Sequence, residues 1–169
     1  MAGYDEAGRL AMLITALVAF LIAAIFAGAA IYVSFAEHPA RLTLDDAAAL
    51  AQWKPSYQRG KLMQASLALV GSLLAFWVWW KLGGIMWLVG GLLLLANWPV
   101  TLVLIMPVNH RLEAGDGTGP DTRALLVRWG RLHGIRTILG VAATLAMLCA
   151  LACPARPALD PAPNAVGAR

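Results

Sequence analysis

The chain has 169 residues, 60% of them hydrophobic and 13% charged, against about 25% charged in an average globular domain. That leaves too little polar side chain to coat a water-soluble domain of this size. The formal charge of +4 gathers into no basic stripe apart from the flanks of the apolar runs, which argues against nucleic-acid binding.

Apolar runs of about 18 or more residues read as membrane spans, because roughly 20 helical residues cross the hydrocarbon core. Three such runs are Ala11 to Ala36, Leu62 to Trp80 and Leu82 to Val108. A fourth, Thr137 to Cys153, is at the short limit and lengthens if Gly134 and Ile135 are counted. The first run is too long, and too directly followed by further spans, to be a removable signal peptide. In lipid each backbone amide must pair within its own segment, so the runs predict helices. The expected fold is all-α: a four-transmembrane-helix bundle with two longer loops on one membrane face. Residues 1–153 form this single domain, and 154–169, rich in proline and alanine, form a disordered tail.

In chain order, span one ends at Glu37-His38-Pro39, because proline disfavours helix in the residue before it, so His38 falls on the turn that leaves the membrane. Thr43 to Asp46 reads as a helix start that opens a short helix through Trp53. Pro55 breaks it, and a new helix from about Ser56 becomes span two. Lys81 to Gly84 makes a tight hairpin into span three, which ends near Met106-Pro107. The glycine-rich stretch Glu113 to Pro120 is a loop, and Asp121 or Thr122 caps the last helix. Cys149 and Cys153 are four apart near the end of one helix, without a second pair for a zinc site, and read as packing residues.

This connectivity puts Arg9, Lys81, Arg156 and Arg169 on the face that carries the termini. Arg41, Lys54, Arg59, Lys61, Arg111, Arg123, Arg128, Arg131 and Arg136 flank the other. The excess of positive charge places the long loops in the cytoplasm and the termini outside, and Asp5 and Glu6 agree with an exported amino terminus.

The unusual polar residues converge on the face with the long loops. His38 follows span one; Trp53, Tyr57 and Gln64 precede or open span two; Asn109 and His110 follow span three; Trp129, His133 and Arg136 open span four. At about 100° per residue, Leu126, Trp129, His133 and Arg136 share one side of the last helix, whereas Arg128 and Arg131 point away as interfacial anchors. Trp53, Tyr57, Gly60, Lys61 and Gln64 are similarly spaced on the second helix. Asn97 and Thr101, four apart near mid-membrane, suit a bond to a neighbouring helix. Trp77, Trp79, Trp80 and Trp87 need no role beyond the membrane interface, and His110 reads as structural.

Two histidines at facing helix ends can ligate a metal or a haem iron, and an arginine beside them can pair with a propionate, a carboxylate or a phenolate. Alternatively, one histidine can act as a base on an acidic aromatic, whose carbanion reacts with O2 without any cofactor. Spacing alone does not choose between these schemes.

Gly28, Tyr32 and Glu37-His38-Pro39-Ala40, then Trp53, Tyr57 and Gly60, then Trp98-Pro99, Thr101, Met106-Pro107-Val108-Asn109 and Leu112, and finally Trp129, Leu132-His133 and Arg136-Thr137 follow in an order and spacing that resembles the anthrone oxygenase family. The resemblance covers roughly residues 10 to 150, and His110 stands where relatives more often carry another polar residue. It implies a multi-pass membrane oxygenase that uses O2 to oxidise a lipophilic, electron-rich aromatic natural product of anthrone or indole type. It also implies a haem, with a cofactor-free reaction as the alternative. By position it points to His38, Tyr57, Asn109, His133 and Arg136 as catalytic, with His38 or His133 as iron or metal ligand and Arg136 on a propionate or an anionic substrate group. Partners would be the bilayer, the aromatic substrate and O2; a homo-oligomer is left open, and nucleic acid is not expected. The alternative from another class is a non-enzymatic transporter subunit or assembly partner. Such a protein would favour ionisable or broken-helix positions at mid-membrane, where only Asn97-Trp98-Pro99 interrupts the apolar run.

Overall fold

The computed structural model describes residues 5–153, so the expectation for the tail lies outside the described residues. Among the described residues the fold is all-helical, with four helices long and apolar enough to cross a membrane. These are α1 (Glu6–Arg41), α2 (Asp46–Leu82), α3 (Ile85–Ala114) and α4 (Thr122–Ala152). Around the bundle α1 packs on α2 and α4, and α3 packs on the same two, so chain neighbours are spatial neighbours.

Away from the polar end the bundle is held by small residues. Ala16, Ala19, Ala23, Ala27 and Ala30 form the buried face of α1, and Gly140, Ala143, Ala146 and Ala150 that of α4. Lipid tails are as apolar as a helix surface, so association in the bilayer depends on close van der Waals contact, which such stripes permit. A Cβ on Gly90 would stand 2.7 Å from Met147 Cγ and 3.2 Å from the Ala143 carbonyl, so α3 and α4 touch there through a missing side chain. The hairpin between α2 and α3 narrows to Gly83 and Gly84, at φ +71° and +84°, a region that favours glycine.

Four of the expected boundaries move. The helix runs through Pro39 to Arg41 instead of turning at His38, because residues Val33–Glu37 form a widened π turn in which the His38 N–H donates to the Val33 carbonyl. The second proline-bearing end behaves alike: Thr101–Ile105 forms a π turn, the Met106 N–H donates to Thr101, and α3 continues past Pro107 to Ala114. A wider turn makes room for the pyrrolidine ring, whose missing N–H would otherwise break the regular ladder. Pro55 likewise sits inside α2 without ending it. Side chains on both sides of it, Gln52 and Ser56, are tied to the end of α1, so tertiary bonds span the lost backbone bond. Finally, Asp45 and not Thr43 caps α2, accepting from the Ala48 N–H at 2.9 Å.

Loop 115–121 is fastened to its surroundings. Lys54 Nζ donates to the Gly115 carbonyl at 2.6 Å, and Arg111 pairs with Asp121 at 3.2 Å. Asp121 holds the N-cap position of α4 as expected, but its side chain makes no capping bond. The Thr118 N–H and hydroxyl donate to Asp116, which holds that carboxyl below its ordinary range. Arg123 reaches the carbonyls of Leu42 and Leu44 and the Asp46 carboxylate, joining α4 to the turn between α1 and α2.

The packing makes one quantitative demand. Gly90→Leu should lower stability by about 1–3 kcal/mol, because the Ala143 backbone cannot yield. Gly28→Leu, where a Cβ meets nothing within 4 Å, should stay near wild type. Thermal unfolding of the two variants in detergent checks this, and equal midpoints would contradict it.

Candidate active site

The polar end is organised around Arg41, which is only 2% exposed. Its guanidinium donates to Glu37 at 2.5 Å, to Gln52, to Ser56 at 3.4 Å and faces His38 Nδ1 at 3.3 Å. It also lies 5.7 Å from the ring centre of Trp129. Glu37 in turn accepts from Ser56 and Gln52. This set joins the last turn of α1 to α2 on both sides of Pro55. The sequence signal for it is the i, i+4 pair Glu37 and Arg41, which faces only if the helix continues through Pro39.

Beside that network lies a column of aromatic rings. Tyr57 stacks on Trp53 at 4.7 Å between centroids and 5° between planes, and Trp53 meets Trp129 edge-on at 5.8 Å. Trp129 stacks on His133 at 5.0 Å and contacts His38 at 5.2 Å. Both histidines are thus buried against one indole, at 6% and 4% exposure. Their environments differ. A Cβ on Gly130 would collide with the Nε2 and Cδ2 edge of His38, so that ring rests on the bare backbone of α4. His133 instead lines a cavity of about 520 Å³. The Nε2 of each histidine is buried with no hydrogen-bond partner, so what separates the two is that only His133 faces the cavity.

The cavity is walled by all four helices: Tyr32 and Val33 of α1, Tyr57, Gly60, Lys61 and Gln64 of α2, Ile105 and Asn109 of α3, and Trp129, His133 and Arg136 of α4. Its α3 and α4 lining is mostly buried, whereas Tyr32, Arg59, Lys61 and Met63 are exposed, so it opens between α1 and α2. A Cβ at Gly60 meets nothing within 4 Å, which leaves free space at that opening. The Asn109 Nδ2 donates to the Tyr57 hydroxyl at 3.0 Å, while its Oδ1 is buried without a partner. Arg136 lies 5.7 Å from the ring centre of Phe26, and its Nε too has no partner. One turn beyond His133, Thr137 bonds Ser34 at 2.8 Å and the Ala30 carbonyl at 3.2 Å, fixing α4 against the π turn of α1.

Of the five residues singled out in the sequence, Tyr57, Asn109, His133 and Arg136 line one cavity, and His38 stands behind Trp129 without lining it. His110 is exposed and outside the cavity. Asn97 and Thr101 bond within their own helix, to Leu93, Leu94 and Asn97 carbonyls, not to a neighbour. Trp87, expected at the interface, is core. Among the described residues no three of His, Cys, Asp and Glu are grouped to hold a metal ion. A second cavity of about 840 Å³ at the opposite end has an apolar lining whose charged residues are Glu6 and Arg9, with no histidine.

Gly130 was not apparent as a site residue in the sequence, and its role is direct. Gly130→Ala should displace the His38 ring, tilt Trp129 against His133 and lower turnover about as much as His38→Ala does, while the helical content measured by circular dichroism stays that of wild type. An unaltered rate in Gly130→Ala would contradict this geometry.

Residues 53–146 match the family described as Anthrone oxygenase. No curated protein and no solved structure matches the chain. The match contains Tyr57, Asn109, His133 and Arg136 and begins after Glu37, His38 and Arg41. It extends over more than half of the chain, and this protein therefore belongs to the anthrone oxygenase family.

Proposed function

We propose that this protein is a membrane-embedded oxygenase that uses O2 to oxidise an electron-rich aromatic substrate of the anthrone or indole type, with His133 as the working imidazole. The observation that carries this reading is the unpartnered, buried His133 Nε2 on the wall of a cavity that opens between α1 and α2. Family membership supports the oxygenase class, and the geometry supports the residue roles.

For an anthrone the chain's own groups account for the steps. The neutral imidazole of His133 accepts a proton from the ring methylene, and the electron pair moves through the conjugated rings onto the carbonyl oxygen across the central ring, as an enolate. Arg136, on the same cavity wall, stabilises that oxygen, and the free Oδ1 of Asn109 accepts from a substrate hydroxyl. The carbanion gives two electrons, one at a time, to O2, and a C–O bond forms. His133 returns its proton to the distal oxygen. Loss of the second methylene proton and cleavage of the O–O bond then release water and leave a carbonyl. The balance is anthrone plus O2 to anthraquinone plus water.

The residues also fit a haem held by a single imidazole, that of His133, with Arg136 and Lys61 in the lining to meet its carboxylates. They do not suit one held by both histidines, because His38 is turned onto Gly130 and bonded to Arg41. Such a haem would supply O2 binding and one-electron chemistry. With it, Asn109 would still orient the aromatic, and Trp129 would keep the imidazole plane fixed.

His133→Ala should lower kcat/KM for O2 uptake with an anthrone by about 100-fold or more, the usual scale of a lost general base. Arg136→Gln should reduce kcat more than it raises KM. Full activity in His133→Ala, measured with an oxygen electrode, would remove the proposal.

The charge distribution supports a cytoplasmic site with the termini outside. Of the nine flanking cations, Arg41 and Arg136 turn inward, which still leaves seven against four. An impermeant maleimide applied to intact cells should therefore label Cys153, exposed at the terminal face, in a Cys149→Ser background. It should reach Thr118→Cys, made in a chain lacking both native cysteines, only after permeabilisation. The opposite pattern would invert the orientation.

A further inference from the structure

Three cations, Arg59, Lys61 and Arg136, line the cavity, with Glu37 as the carboxylate among its lining residues. Glu37 is already committed to Arg41, Ser56 and Gln52. Neither Lys61 nor Arg136 forms an ion pair among the described residues. Both are instead held over aromatic faces: Lys61 Nζ lies 5.0 Å from the centre of the Tyr57 ring, and Arg136 lies over Phe26. Lys81 makes a similar contact with Trp77, but that ring is exposed on the outside of the bundle, as an interfacial anchor should be. The aromatic partner of Lys61 lines the cavity. Lys61 is exposed at the mouth of the cavity, so its free charge stands where an entering ligand passes.

The oxidation creates one negative charge at a time, and Arg136 answers it. Arg59 and Lys61 are two cations more than the chemistry uses, and of the two Lys61 is the one held over a ring of the cavity wall. We propose that Lys61 is a specificity-determining residue, pairing with a carboxylate that the aromatic substrate itself carries. The aromatic part of this ligand rests on the proposed oxygenase reading; the acid rests on the charge of the cavity. A volume of about 520 Å³ lies in the range of about 300–1,000 Å³ typical of small-molecule sites, which suits a fused-ring acid. The opening between α1 and α2 lets such an amphiphile keep its rings in the hydrocarbon while its carboxylate approaches Lys61 near the headgroups.

The test is binding to the full chain in phosphatidylcholine nanodiscs, read by quenching of tryptophan fluorescence with anthraquinone-2-carboxylate and with uncharged anthraquinone. The acid should bind at least tenfold tighter than the neutral ring system. Lys61→Gln should remove most of that preference while leaving neutral binding intact, which also reports that the variant is folded, and Lys61→Arg should restore it. Equal binding of the two probes, or a preference that survives Lys61→Gln, would overturn the proposal. Loss of a Soret band on Lys61→Gln would also overturn it, by giving the cation to a porphyrin carboxylate, as would competition by added phosphatidylglycerol, which would give it to a headgroup. Acid-selective binding without O2 uptake would support this inference and count against the oxygenase reading, so the two fail separately.

Discussion

The polar end of the bundle depends on burying one guanidinium. Arg41 is withdrawn from water and lipid alike, and such a charge persists only when its donors are met. Glu37, Gln52, Ser56, His38 and the face of Trp129 meet them, and these partners belong to α1, α2 and α4. The charge therefore fixes where three helix ends converge. It also draws the last turn of α1 inward past Pro39, and the π turn at Val33–Glu37 is the backbone adjustment that allows it.

The remainder of the site follows from that closure. With His38 held by Arg41 and pressed on Gly130, Trp129 has a fixed neighbour, and His133 stacks on the same indole. The bundle thereby divides into two halves with different work. One is packed by alanine and glycine stripes that bring backbones together. The other keeps large aromatic rings and polar groups around an open volume. Of the buried polar atoms without a partner, His133 Nε2, Asn109 Oδ1, Trp129 Nε1 and Arg136 Nε belong to residues of one cavity wall, whereas those of His38, Trp53 and Asn97 lie outside it. Leaving such groups unpaired is costly in a stable protein, and their convergence marks a place where a ligand supplies the missing partners.

Hydropathy made the four helices legible, because a membrane imposes a length and forbids unpaired backbone. Periodicity on α4 also put Trp129, His133 and Arg136 on one side correctly, and the outward positions of Arg128 and Arg131 hold. The boundaries were less legible at Pro39, Pro55 and Pro107. A local rule treats each proline as a stop, whereas here π turns and cross-helix bonds carry the helix onward. That difference changed the site. A chain leaving the membrane at His38 leaves Arg41 as an interfacial anchor, while a chain continuing through Pro39 makes it the centre of a buried network. The division of labour between the two histidines was beyond sequence reasoning as well, because it depends on Gly130, a residue with no side chain to draw notice. Lys61 fell on the right face of α2, but only the contact with Tyr57 distinguishes it from the cations that anchor the bundle in headgroups.

In the proposed reaction the aromatic substrate lodges against His133, in the cavity between the polar ends of α1 and α2. Gly60 borders that cavity with open space where its side chain would be, so a large residue there fills the volume without disturbing the packing. The most direct measurement is the rate of O2 uptake with an anthrone by Gly60→Trp beside wild type, both in nanodiscs. Wild type should take up one O2 per anthrone, and Gly60→Trp should be at least tenfold slower at unchanged thermal stability. A wild-type rate in the filled variant would contradict that placement of the substrate.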